Sequence, residues 1–85
     1  MRRMKLNFTT YDVVKKKCDY LGEPFEEDDK EKDELYMILG FDKNLKSGYE
    51  IISLKDGNEE AGWYEDDLDF VRKGSREEYL SIVRL

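Results

Sequence analysis

Residues 34–41 read Glu-Leu-Tyr-Met-Ile-Leu-Gly-Phe, and their apolar side chains occupy both parities. Leu35, Met37, Leu39 and Phe41 fall on one side of an extended strand; Tyr36 and Ile38 fall on the other. A strand with one wet face alternates, so this run belongs inside a strongly curved sheet. A polar loop over residues 42–48 leads to a second strand, residues 49–55. Asp56-Gly57 follows at once, and this dipeptide accepts the positive φ that a tight hairpin demands. A two-residue turn there sets Leu54 opposite Glu59, Ile52 opposite Ala61 and Glu50 opposite Trp63. Ile52, Leu54, Ala61 and Trp63 then share a core face. A longer loop through Asn58 shifts that register. Gly62 stands next to Trp63, where a bulge or bend is cheap.

After Trp63 the chain reads Tyr-Glu-Asp-Asp-Leu, which predicts one tight turn over residues 65–68. Residues 69–73 make a short last strand, stopped by Gly74. Ser75 and Glu78 fit a capping box, Ser-x-x-Glu, opening a short helix with Tyr79, Ile82 and Val83 on one side. An extra strand is the alternative, because the segment also alternates. The N-terminal third reads two ways. Tyr11, Val14, Cys18 and Leu21 form one face of a helix at about 10–21, with Gly22 as its stop. As a strand, Val14, Cys18 and Tyr20 share a parity and Pro24 ends the run. The long acidic loop before Glu34 favours the strand, as an excursion between the first two strands of a barrel. The expected architecture is mainly β: one domain over 1–85, with a five-stranded small barrel at about 11–73 and a short C-terminal helix at about 75–85. The alternative is an α+β fold with the N-terminal helix packed on an antiparallel sheet.

The 85 residues suffice for one thin-cored domain and leave no room for a second lobe around a deep cleft. There is no histidine, which removes the usual neutral-pH base, the Ser-His and Cys-His pairs and the commonest metal ligand. Cys18 is the only cysteine, so zinc, other cofactors and an internal disulfide are not expected. Lys15 to Lys17 would lower its pKa at the surface, but a buried small apolar role is the commoner one. An enzyme is therefore not expected. No apolar run is long enough to span a bilayer, and the start lacks the apolar core of a signal. The reading is a cytoplasmic protein without membrane attachment.

The net charge of −6 is unevenly spread. Residues 1–17 carry six bases (Arg2, Arg3, Lys5, Lys15, Lys16, Lys17) against Asp12. Residues 26–34 carry seven acids against Lys30 and Lys32, and residues 56–69 carry seven acids and no base. Such loops keep a small domain soluble; they also steer a basic partner. They repel a phosphate backbone, which leaves the basic N-terminus as the only route to nucleic acid.

The order of elements resembles the SH3-like small barrel of bacterial and phage-borne proteins. The resemblance rests on Trp63, Tyr64, the Glu65-Asp66-Asp67 turn, Leu68 and the Phe70-Val71 pair. It implies that Trp63, Leu68 and either Phe70 or Val71 fill the core while the acidic turn closes the barrel. The proline-peptide motif of signalling SH3 domains is missing: one tryptophan, and no proline after Pro24. A methyl-lysine cage would need several of Tyr36, Tyr49, Trp63 and Tyr64 to converge with an acid. Adjacent strand residues face opposite ways, so an inward Trp63 leaves Tyr64 outward, with Tyr49 across from it. The expected function is a non-catalytic protein-interaction module whose contact runs through Tyr36, Tyr49, Tyr64, Glu65, Asp66 and Asp67. Its partner would be a protein with a basic or amide-rich surface. One alternative is an acidic inhibitor imitating nucleic acid, similar in charge and size to small phage proteins that block host nucleases. The other is a nucleic-acid-binding barrel using the basic N-terminus. A homodimer through the C-terminal helix stays open.

Overall fold

The computed structural model describes residues 8–19, 21–42 and 48–83; Arg2, Arg3, Lys5, Tyr20 and most of the loop before Gly48 lie outside them. Five strands, β1 (Val13–Lys16), β2 (Tyr36–Asp42), β3 (Gly48–Ser53), β4 (Glu59–Trp63) and β5 (Leu68–Arg72), form one antiparallel sheet. The order is β4-β3-β2-β1-β5, so the two last strands of the chain are its edges. Among the described residues no ladder joins β4 to β5. A 3-10 turn over Glu65–Asp67 carries the chain between them, and one helix, α1 (Arg76–Val83), follows.

Both parities of β2 are apolar because both faces of the sheet are covered. One face holds the larger core: Phe8, Val14, Cys18, Tyr36, Ile38, Tyr49, Ile51, Trp63 and Leu68. On the other face Val13, Met37 and Ile52 meet Ile82 of α1, flanked by Leu35, Leu39, Leu54 and Tyr79. Phe41 departs from the expected alternation. Ile38 faces Ile51 and Gly40 faces Glu50, so Leu39 is an extra residue. The bulge turns Phe41 onto Tyr49, ring centroids 5.5 Å apart.

The β3–β4 hairpin forms with a longer loop than the Asp-Gly pair alone predicts. Ser53 N–H donates to the Asn58 carbonyl, leaving residues 54–57 as the loop, with Gly57 at φ 76°. Ile52 therefore faces Glu59, two residues earlier than Ala61. A shift of two preserves the faces, and the real change comes at Gly62. Its φ of 81° makes a bulge, so Tyr49 pairs with Trp63. Trp63 thereby joins Tyr49 and Ile51 in the larger core, while Ile52 and Leu54 stay on the face under α1.

Val13–Lys16 form a strand and are not part of a helix over 10–21. β1 pairs with β2 on one side and β5 on the other, and Cys18 bridges to Pro24 beyond it. Leu68 is buried, as expected, but Phe70 and Val71 are 51% and 40% exposed. Neither fills the core, because β5 is an edge strand. The C-terminal segment is helical and begins with the expected cap: Glu78 N–H donates to Ser75 Oγ at 3.2 Å. The Glu78 carboxylate takes a two-pronged bond from Arg72, at 2.9 and 2.8 Å. No described helix is long and apolar enough to cross a membrane.

Candidate binding site

The strand parity that sends Val14 and Cys18 inward also sends Lys16 inward. Its side chain is only 3% exposed. Its Nζ donates to both carboxylate oxygens of Glu60 at 2.9 Å and to Glu31 at 3.4 Å. The ammonium also lies over two aromatic faces, 4.4 Å from the Tyr36 ring centroid and 4.5 Å from that of Trp63. Burial works against the charged form, but Glu60 and Tyr36 outweigh it and hold the pKa above the ordinary 10.5. Trp63 Nε1 donates to Glu60 at 3.0 Å, and the Tyr36 hydroxyl donates to Glu34 at 3.0 Å. Burial pushes the Tyr36 hydroxyl pKa up to about 12. An aromatic-and-acid cage for an ammonium therefore exists, and the chain's own Lys16 occupies it.

This arrangement corrects two of the expected contact residues. Tyr36 is 3% exposed and Tyr49 only 1%, so neither reaches a partner. Tyr49 packs edge-on against Phe8 and Phe41 and faces Trp63, not Tyr64. Its buried hydroxyl lacks a well-formed hydrogen bond, although the Phe8 backbone and Glu65 lie close enough to affect its ionisation; burial dominates and raises its pKa.

Tyr64 is different. It is 50% exposed and lines an open groove of about 590 Å³. Cys18, Asp19, Leu21 and Gly22 line it as well. Asp19 builds the turn there: Oδ1 accepts from the Leu21 and Glu23 amides, both at 2.9 Å. Leu21, within that turn, is 68% exposed and lines the same groove as Tyr64. Ala61, Gly62 and Trp63 of β4 and Asp67 of the 3-10 turn complete the lining together with Glu60. Cys18 Sγ donates to Asp67 Oδ1 at 3.6 Å. Burial, and then the charge of Asp67, raise the thiol pKa, which favours the protonated donor. Among the described residues the groove is lined by Asp19, Glu60 and Asp67 and by no lysine or arginine.

Of the six expected contact residues, then, Tyr64 and Asp67 meet at the groove. Glu65 and Asp66 share the turn but not the lining, and Tyr36 and Tyr49 are core. The sequence reading missed Leu21, Asp19 and the Lys16–Glu60 pair. Lys16 was detectable in principle, since it falls between two inward residues of a strand. The basic route to nucleic acid loses Lys16, which is buried, and Lys17 pairs with Asp69 at 3.6 Å. Among the described residues no group of three or more Cys, Asp or Glu side chains is placed to hold a metal ion. No protein-family model, curated relative or solved structure matches the chain.

Proposed function

We propose that this chain is a non-catalytic protein-interaction module, an SH3-like small barrel in form, whose groove takes a basic segment of another protein. The barrel form is supported by the sheet order, in which β5 returns to β1, and by the 3-10 turn between β4 and β5. One observation carries the binding role. Two large exposed apolar side chains, Leu21 and Tyr64, line one groove whose charged lining is wholly acidic among the described residues. An exposed apolar pair gives a ligand side chain something to bury, and the acids select a basic neighbour. The Lys16 ammonium already neutralises Glu60, so Asp19 and Asp67 carry the selectivity.

Selection of displayed random peptides against the protein tests this. Enriched peptides should pair a lysine or arginine with a bulky apolar residue and should shift the resonances of Leu21, Gly62 and Tyr64. Tyr64→Ala should weaken their binding about tenfold, a hot-spot loss near 1.4 kcal/mol, with the unfolding midpoint unchanged. Enrichment of acidic peptides, or full affinity for Tyr64→Ala, would remove the groove from consideration.

A further inference from the structure

The groove runs along an edge of the sheet, and that fixes how a ligand can sit in it. β4 is the end strand, paired with β3 alone among the described residues. Ser53 N–H donates to the Asn58 carbonyl, and Ile51 sits opposite Glu60. Antiparallel ladders alternate between bonded and non-bonded pairs. Asn58 and Glu60 thus turn their backbone groups towards β3, while Glu59 and Ala61 turn theirs away. The bulge at Gly62 ends this regular stretch, leaving a short, outward-facing row of N–H and C=O groups. Ala61 and Gly62 also line the groove, so the row opens into it.

Resting on the binding role proposed above, the geometry points to β-strand addition: a basic, extended segment of another protein pairs its backbone with Glu59 and Ala61 of β4 while its side chains reach Leu21, Tyr64 and Asp67. An unpaired edge supplies backbone bonds that are indifferent to sequence, and the groove beside it supplies the choice of side chains. Charge argues that the occupant is not a second copy of this chain. Pairing β4 with itself would bring Glu59 and Glu60 of both copies onto one short ladder, and like charges across strands repel. A strand carrying arginine or lysine reverses that repulsion. The Gly62 bulge keeps the pairing short, so affinity must come from backbone and groove together.

The probe is the peptide Ac-Val-Arg-Val-Arg-Val-amide, with a second version N-methylated on alternate amides to remove the donors of one edge. Two such versions, one for each choice of alternate amides, cover both edges. Titration into isotopically labelled protein is read by amide shifts and by hydrogen exchange. The unmodified peptide should shift Leu21, Gly62 and Tyr64 and slow exchange of the Ala61 amide at least tenfold. One of the N-methylated versions should bind at least tenfold more weakly, and Ac-Val-Glu-Val-Glu-Val-amide should not bind. If all the arginine peptides bind alike and Ala61 exchange is unchanged, strand addition is overturned while the groove remains a side-chain site. If the arginine peptide leaves Leu21, Gly62 and Tyr64 unmoved, both the pairing mode and the binding role fall.

Discussion

Removing Glu60 should cost more than removing Lys16, because the two partners are buried unequally. The Lys16 side chain is 3% exposed and that of Glu60 is 35% exposed. Glu60→Leu strands the ammonium with Glu31, 3.4 Å away and itself 43% exposed. The same change takes the acceptor from the Trp63 indole N–H. Breaking a buried pair from one side costs about 3–5 kcal/mol, and the partial exposure of Glu60 puts this pair near about 3 kcal/mol. Lys16→Met acts differently. Glu60 keeps the indole, and its exposed side reaches water. The substitution forfeits two cation–aromatic contacts, roughly 0.5–1 kcal/mol each, but it also relieves a buried charge. The net loss should be about 1 kcal/mol. The double variant buries no charge at all, so its loss should fall short of the sum by at least about 1 kcal/mol. Urea unfolding reads these values through the fluorescence of Trp63, the only tryptophan, with circular dichroism as a second probe. Should Lys16→Met cost as much as Glu60→Leu, or the two losses simply add, the cage is not held together by this charge pair.

Alkali should unfold the protein for a related reason. Lys16 titrates above its ordinary 10.5, and Tyr36 is raised from 10.0 to about 12. Both bind their protons more tightly when folded, so their stabilisation is complete below the ordinary values and lost as pH rises through the folded ones. Urea midpoints should fall above about pH 10, less steeply for Lys16→Met; a flat profile would contradict this. Gly62→Ala should lose about 1–2 kcal/mol from the positive φ alone, since nothing lies within 4 Å of the added methyl. An unchanged urea midpoint would show that the bulge is not needed. Iodoacetamide should alkylate Cys18 at least about tenfold more slowly in the folded protein than in urea, and equal rates would refute its burial and raised pKa. Ile82→Ala should cost about 2–4 kcal/mol by leaving a cavity against Val13, Met37 and Ile52. A loss well under 1 kcal/mol would mean that α1 does not share the fold's cooperativity.

The sequence was most legible where a local signal and its physical cause coincide. The apolar run of β2, the capping Ser75 and the acidic turn after Tyr64 all stand where their residues predict. The N-terminal segment was ambiguous because Val14, Cys18 and their neighbours satisfy both a period of two and a period of three to four. Only pairing with β2 and β5 decides it, and pairing is not a local property. The candidate site was half legible. Tyr64 follows from its place beside an inward Trp63. Tyr36 and Tyr49 were misplaced because an aromatic on a strand looks alike whether the second face of the sheet is wet or covered. Here that face carries the larger core, where Phe8, Val14, Trp63 and Leu68 cluster with both tyrosines, and bulges at Leu39 and Gly62 reassign the rest. Leu21 carried no signal, since its exposure depends on the turn that Asp19 builds.

Trp63 joins the buried charge to the groove. Its face meets Lys16, its indole nitrogen bonds Glu60, and it also lines the groove. The Gly62 bulge makes this double use possible. With regular pairing Trp63 would lie on the Ile52 face under α1, and Lys16 would lack one of its two aromatic walls. The same pair divides the groove electrostatically. Glu60, on β4, is paired with Lys16, whereas Asp19 accepts from the Leu21 and Glu23 amides and Asp67 from the Cys18 thiol. On the proposed binding role, a basic strand would meet Glu59 of β4 as well as Asp19 and Asp67, while Glu60 is already balanced by Lys16.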